Sequence, residues 1–330
     1  MSEPLRIGVI GTGRIGRMHA GYIARQTPRA TLAAVSDVNP AFAAEVGGMY
    51  GVPALGPDEV IASSDAVAIC TSTDTHVDYI IDAAEARKAI FCEKPISLDL
   101  SQVDRVAAVL ERTGVSFMVG FNRRFDPGHR AVRDAVLSGR IGEVRMARVT
   151  SRDPSPPPVD YVRVSGGIWV DMMIHDFDMA AFVVGSPIVQ VWAQGANLID
   201  PAIGEVDDVD VAVAVLTHAN GAITTIDISR EAPYGYDQRV EVLGSLGMAV
   251  SDNERLNSSE VYLKGETHRP VLPNFFIERY ETAYRDQWRC FTDYVLDGGP
   301  SPVSLAEGRA PVVVAAAAAE SARAGRAVSV

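Results

Sequence analysis

The apolar positions of the first 120 residues fall in short, unbroken stretches. Ile7, Val9 and Ile10 form the first, followed by Ala30 to Val35, Ala66 to Cys70, Ala89 to Cys92 and Ser116 to Val119. Each has the length of a strand. Between them, Arg14 to Gln26, Pro40 to Tyr50, Thr75 to Ala86 and Ser101 to Thr113 read as helices. Wholly apolar strands separated by amphipathic helices predict a parallel sheet covered on both faces. The pattern changes after Gly120. Asp126 to Ser138 reads as a helix, and strands then dominate: Val144 to Thr150, Val189 to Gln194, Val209 to Thr217, Ala222 to Ser229, Arg239 to Leu243, Met248 to Ser251 and Glu260 to Lys264. Asn220-Gly221 between two of them is a strong hairpin signal. A largely antiparallel sheet is expected. Val209, Val211, Val213 and Val215 alternate with Asp210, Ala212, Ala214 and Leu216, so both faces of that strand are almost entirely apolar. One face can pack on helices of its own chain. The other is expected to pack on a second subunit, giving a homo-oligomer. Asp153 to Pro158 must be an irregular loop, and Pro311 to Arg323 a closing helix.

The first strand runs into Gly11-Thr12-Gly13-Arg14-Ile15-Gly16, a Gly-x-Gly-x-x-Gly turn that opens a helix. Gly11 allows the tight turn, Gly13 lets a pyrophosphate approach the backbone, and Gly16 lets helix and strand pack closely. The helix start then offers free N–H groups to the phosphates. Asp37 ends the second apolar stretch 21 residues after Gly16, where a ribose-binding acid belongs. Its carboxylate suits two ribose hydroxyls and repels a 2′-phosphate. No arginine follows in Val38-Asn39-Pro40, so NAD is expected over NADP. Thr71-Ser72-Thr73 and Glu93-Lys94-Pro95 follow the carboxyl ends of parallel strands and should face the cofactor. The expected cofactor-binding set is Gly11, Thr12, Gly13, Arg14, Ile15, Gly16, Asp37, Val38, Thr71, Ser72, Thr73, His76, Glu93 and Lys94.

The chain has 330 residues, 47% of them hydrophobic, enough for two cores. Its net charge of −12 argues against nucleic acid or an anionic membrane as a partner. No apolar run approaches a membrane span, the N-terminus lacks a signal-peptide pattern, and the cytoplasm is the expected location. The three cysteines suggest neither a disulfide framework nor a zinc knuckle. Cys70 and Cys92 read as buried strand residues.

Two features carry chemistry. Lys94 at a strand end could hold a substrate hydroxyl, lower its pKa or shuttle its proton, or be an ordinary surface lysine. In Gly166-Gly167-Ile168-Trp169-Val170-Asp171-Met172-Met173-Ile174-His175-Asp176-Phe177-Asp178, the spacing puts Asp171, His175 and Asp178 on one helical stripe. Three ionisable groups among apolar neighbours are costly without a purpose. Alcohol oxidation needs a base, and imidazole is the natural candidate. Asp171 can orient the ring, and Asp178 can accept substrate hydroxyls. A capped helix start with a satisfied core histidine is the bland alternative. Zinc at Asp171 and His175 would need further ligands that the cysteines are badly placed to supply, so no metal is expected. His19 is expected to pack within its helix. His129, His218 and His268 are expected to be exposed.

GTGRIGRMH, EKP and DMMIHD, in that order, resemble the glucose–fructose oxidoreductase/inositol dehydrogenase/rhizopine-catabolism (Gfo/Idh/MocA) family along essentially the whole chain. GFNRRFDPGH, SGGIWVDMMIHDFDMA and YGYDQRVEV are most like stretches of its inositol 2-dehydrogenases. The resemblance implies an α/β fold: an N-terminal Rossmann domain (1–121) and a C-terminal α/β domain (122–330) on an open, mostly antiparallel sheet, often tetrameric. It implies Lys94, Asp171 and His175 as the catalytic trio, with Asn122, Arg123, Asp178 and Tyr236 near a cyclic polyol. Arg152, in a stretch that departs from the family pattern, is added as a candidate substrate contact. The implied reaction is oxidation of myo-inositol to a ketone with NAD. Related alternatives are a scyllo-inositol or sugar dehydrogenase, or a non-catalytic dinucleotide sensor, which would not need the trio.

Overall fold

The protein, a computed structural model, is described over residues 3–330. It divides into two compact units. One runs up to Asn122 and takes in Thr282–Val312; the other comprises Arg123–Glu281 and Val313–Val330.

The first unit is built on five parallel strands, β1 (Leu5–Ile10), β2 (Ala30–Ser36), β3 (Ala66–Ile69), β4 (Ala89–Glu93) and β5 (Phe117–Gly120), in the order β2-β1-β3-β4-β5. The helices α1 (Arg14–Gln26), α2 (Pro40–Tyr50), α3 (Pro57–Ser63), α4 (His76–Glu85) and α5 (Leu100–Thr113) connect them. All four residues of β3 are fully buried, as a strand covered on both faces requires. Strand order reverses between β1 and β3, so the crevice beyond their carboxyl ends is where such sheets take ligands. The sequence pattern misses α3. It is one short run after Gly56, whose N–H is accepted by the Glu59 carboxylate at 3.0 Å.

The expected division into 1–121 and 122–330 is contiguous, whereas here the chain returns to the first unit. The helix Glu281–Asp297 brings Trp288 and Phe291 onto Phe91 of β4, with ring centroids 4.6 and 6.0 Å apart. Val303 accepts a backbone hydrogen bond from Val119 of β5. Large aromatic surface on the sheet must be buried, and this distant helix covers it together with His19 of α1.

The second unit holds a seven-stranded sheet of β6 (Val144–Arg152), β7 (Ile188–Ala196), β8 (Val211–His218), β9 (Ile223–Ser229), β10 (Asp237–Gly244), β11 (Met248–Ser251) and a terminal strand at Val328–Ser329, ordered β11-β10-β6-β9-β8-β7 and then the terminal strand. Only β6 and β9 run parallel; the other pairs are antiparallel. Its inward residues, among them Val149, Ala214, Leu216, Ile226 and Ile228, pack on Phe177, Ala180, Val314, Ala315 and Ala318 of two helices. Ala147, Val240 and Val242 form a second cluster with Val132 and Val183. The expected strand at Glu260 to Lys264 does not join this sheet. Val261–Leu263 pairs with Glu266–His268 as a separate, wholly exposed hairpin, with no buried face to draw it in. No helix among the described residues is long and apolar enough to cross a membrane.

Candidate functional site

The turn after β1 is shaped by what its glycines lack. Gly11 has φ +91°, and a Cβ there would lie 2.7 Å from the Cys70 carbonyl. A Cβ on Gly16 would lie 1.7 Å from the Gly11 carbonyl oxygen, so only glycine lets α1 start this close to β1. A Cβ on Gly13 would meet nothing within 4 Å. That open position stands at the cap of α1, which no side chain caps, so free N–H groups face space a phosphate can enter.

Asp37 stands at the far side of the same turn. One carboxylate oxygen accepts the Thr12 N–H at 2.6 Å and its hydroxyl at 3.1 Å; the other accepts the Asn39 N–H at 2.8 Å. Arg14 is exposed, Ile15 half-buried, and Val38 entirely in solvent. This half-buried acid beside an uncapped helix start fits an adenosine ribose without a 2′-phosphate. Replacing Asp37 by Ser and Val38 by Arg together is expected to lower kcat/KM for NAD about 10- to 100-fold, as charge-assisted hydrogen bonds to the ribose are lost. The same change raises kcat/KM for NADP, measured by reduced-cofactor absorbance. Equal use of both cofactors by the unaltered protein would remove Asp37 from this role.

Thr71, Ser72 and Thr73 follow β3, with the Thr75 hydroxyl donating to Thr71 Oγ1 at 2.7 Å. His76 is buried. Its ring nitrogens lie 2.8 Å from the Pro95 carbonyl and 3.2 Å from the Thr71 carbonyl, and burial lowers its pKa. It therefore ties the loop after β3 to the segment carrying Lys94. Glu93 and Lys94, at the end of β4, are half-buried.

In the second unit, the stretch around His175 is not one regular helix. Ile168–Met172 forms a π turn, closed by the Met173 N–H on the Ile168 carbonyl at 2.9 Å, and α-helix begins only at Ile174 and runs to Val184. Asp171 therefore lies in the wider turn, while His175 and Asp178, three positions apart, share a face of the regular helix. Gly167, at φ +73°, brings the chain against Asp208, whose carboxylate accepts the Ile168 N–H at 2.9 Å. Asp171 accepts the Tyr161 hydroxyl at 2.8 Å, and Arg230 approaches it at 3.7 Å while bonding Asp208 at 3.1 Å. His175 is half-buried in the first turn of the α-helix. Asp178 is buried against Arg124, which holds both carboxylate oxygens at 3.0 Å through Nε and one at 2.7 Å through Nη2. That fork engages both oxygens, and each keeps a lone pair that a hydroxyl can approach.

Asp176 and Asp153 join the group. Arg123 donates to Asp176 at 2.6 Å and to Ser151 at 3.3 Å. Burial pushes Asp176 up to about 6 against the pull of Arg123. It does the same to Asp153, also to about 6, with Asp171 adding to the rise. Burial pushes the Tyr236 hydroxyl well above its usual value, again opposed by Arg123. Tyr236 packs edge-on to Phe275 and Tyr280, and Asn122 is buried. Arg152 stands elsewhere. On β6, Ala147, Val149 and Ser151 point inward, and Arg152 points to the opposite face, where it donates to Asp227 at 2.5 Å and to the Tyr234 hydroxyl at 2.9 Å. The period-2 alternation that turns Arg152 away also marks Ser151 as the inward residue, a signal legible in the sequence. Asp176, Arg230 and Tyr161 carried no such mark.

His129 and His218 are buried, contrary to expectation, and His268 is exposed. His218 continues the inward series Ala212, Ala214, Leu216 on β8, with both nitrogens engaged by the Ser186 carbonyl and the Thr224 hydroxyl. His129 lies 3.0 Å from the Ser251 hydroxyl and 3.4 Å from the Tyr280 hydroxyl. Burial lowers its pKa to about 4, with Asp126 opposing. A histidine whose folded pKa lies below its unfolded value takes up a proton on unfolding. Its share of stability is full above about pH 6.5 and falls as pH drops toward 4, by about 3 kcal/mol in all. His129→Gln is expected to remove this dependence, lowering the slope of unfolding free energy against pH in that window by about 1.4 kcal/mol per unit. Urea unfolding at a series of pH values measures it; an unchanged slope would show that His129 does not titrate there.

Comparison with known proteins matches residues 5–121 to an oxidoreductase family described by its NAD-binding Rossmann fold, and residues 129–250 to the GFO/IDH/MocA C-terminal domain. The chain is 46% identical over 328 residues to an inositol 2-dehydrogenase of Rhizobium meliloti, covering 99% of each. The crystal structure of a myo-inositol dehydrogenase from Corynebacterium glutamicum superposes with TM-score 0.94 at 39% identity, covering 99% of both chains. That of a scyllo-inositol dehydrogenase from Lactobacillus casei, with NAD(H) and scyllo-inositol bound, gives TM-score 0.92 at 28% identity, also over 99% of each.

Proposed function

Because the chain belongs to the Gfo/Idh/MocA oxidoreductases, whose N-terminal half is an NAD-binding Rossmann fold, we propose that it oxidises myo-inositol at one ring hydroxyl to 2-keto-myo-inositol. The observation that carries this reading is near-full-length identity of 46% to an inositol 2-dehydrogenase. The side chains support it. Asp153, Asp171 and Asp176 with Arg123 offer acceptors and a fixed donor to a neutral ring bearing many hydroxyls.

Bound NAD supplies the acceptor for the hydride that leaves the carbinol carbon. His175 takes the hydroxyl proton as the C–H bond breaks, leaving a ketone. Lys94 holds the reacting oxygen and stabilises its developing charge. Asp171, itself held by Tyr161, orients or stabilises the imidazole. Asn122, Arg123 and Tyr236 complete the contacts to the ring.

Initial rates with myo-inositol, scyllo-inositol and glucose, each with NAD and NADP, test the assignment. Highest kcat/KM with myo-inositol and NAD is expected. A preference for scyllo-inositol or glucose would replace the substrate, and no turnover with any of them would favour a dinucleotide-binding sensor.

The same proposal includes a cytoplasmic homo-oligomer formed through the second unit's sheet. Met248, Leu243, Met146 and Ile223 lie in register across four neighbouring strands on the face away from the helices, and each is more than a third exposed. Val213 and Val215 extend the patch on β8. Such a face is costly to leave in water. Ile223→Lys with Leu243→Glu is expected to halve or quarter the mass seen by light scattering; an unchanged oligomer would place the contact elsewhere.

A further inference from the structure

His19 and Trp288 stand 269 positions apart and meet in the first unit, both with no exposed side-chain surface. The Trp288 indole nitrogen lies 2.9 Å from His19 Nδ1. An indole N–H only donates, so Nδ1 accepts and the ring proton sits on Nε2. Nε2 lies 2.8 Å from Glu93 Oε1 and donates to it. The other Glu93 oxygen accepts the Lys94 backbone N–H at 3.2 Å. The imidazole is enclosed edge-on by Phe91, Tyr284 and Trp288, with ring centroids 5.3 to 5.6 Å away. Gly120, paired with Glu93 across β4 and β5, leaves room for the carboxylate; a Cβ there would lie 3.1 Å from it and 3.0 Å from Phe91.

An aromatic box around this position could be filled by an apolar side chain at less cost. A buried polar chain is worth its desolvation only when every member is paired, and then it fixes geometry. Here the geometry fixed is that of Glu93, and through it the main chain at Lys94. The structure assigns His19 and Trp288 the role of positioning residues for Lys94: tryptophan sets the histidine tautomer, histidine holds the glutamate, and glutamate holds the backbone from which the lysine projects. This rests on the reading of Lys94 given above.

Trp288→Phe keeps the aromatic box and deletes the N–H. It is expected to lower kcat for polyol oxidation about 10- to 100-fold, the effect of unpairing a buried hydrogen-bonded group, with the Kd for NADH within twofold. His19→Leu should do the same, and His19→Gln, which can still donate to Glu93, should recover most of the loss. Both Trp288→Phe and His19→Leu are repeated in a Lys94→Ala background, at enzyme concentrations that resolve residual turnover. No further loss there is the expected result. Equal fold-losses with and without Lys94 would overturn the positioning role, as would full turnover in Trp288→Phe. Full turnover in Lys94→Ala alone would instead overturn the assignment of Lys94 on which the role depends.

Discussion

Replacing His175 by alanine is expected to lower polyol oxidation about 100- to 10,000-fold, the range that a positioned acid–base group contributes. The loss should fall on kcat. His175 lies in the first turn of a helix that continues to Val184, and alanine is the best helix former, so the local fold should survive. The glycine turn and Asp37 belong to the other unit, so NADH binding should stay within about twofold, a change worth only a few tenths of a kcal/mol. Steady-state rates and titration of NADH fluorescence separate the two effects. Full activity would remove His175 from the reaction. A large rise in the Kd for NADH with modest loss of kcat would make it a cofactor contact.

Removing the Lys94 ammonium should cost about 100- to 1,000-fold in kcat, the scale of losing one donor aimed at developing charge. Lys94→Arg is expected not to restore activity. A guanidinium keeps the charge, but it is planar and larger, and its fork cannot take the place of a compact ammonium aimed at one oxygen. The two variants, assayed at saturating NAD with varied polyol, distinguish charge from geometry. Recovery in Lys94→Arg would reduce the lysine to a source of positive field.

The elements that sequence pattern located well are those whose cause is local. Arg14–Gln26 and Pro40–Tyr50 follow directly from apolar spacing and their flanking glycine and asparagine. Asn39 caps the second through the Ala41 N–H, with Pro40 at the first helical position. Asn220-Gly221 joins β8 to β9, with Gly221 at φ +86°. Elements misread were those where a partner far along the chain decides. The regular helix expected from Asp171 onward holds for His175 and Asp178 but not for Asp171, which lies in a π turn that opens where the Ile168 N–H meets Asp208, 40 residues away. Arg124 lies 54 residues from Asp178, and its fork binds that carboxylate. Asp176, one residue from His175, has no mark in the local sequence of the Arg123 and Ser151 side chains that bond it.

By itself the sequence determined the local structure of the NAD-binding fold's first turn, a strand, a glycine turn and a helix, because that form depends on backbone sterics within about 30 consecutive residues. It also determined the two sheet types, because a parallel strand covered on both faces and a half-covered antiparallel one leave different residue patterns. Tertiary structure alone decided which carboxylates are held by which arginines, the return of Thr282–Val312 to the first unit, and the tautomer of His19. Each of these depends on distances between residues tens to hundreds of positions apart, and such distances arise only when buried polar groups must find partners in a packed interior.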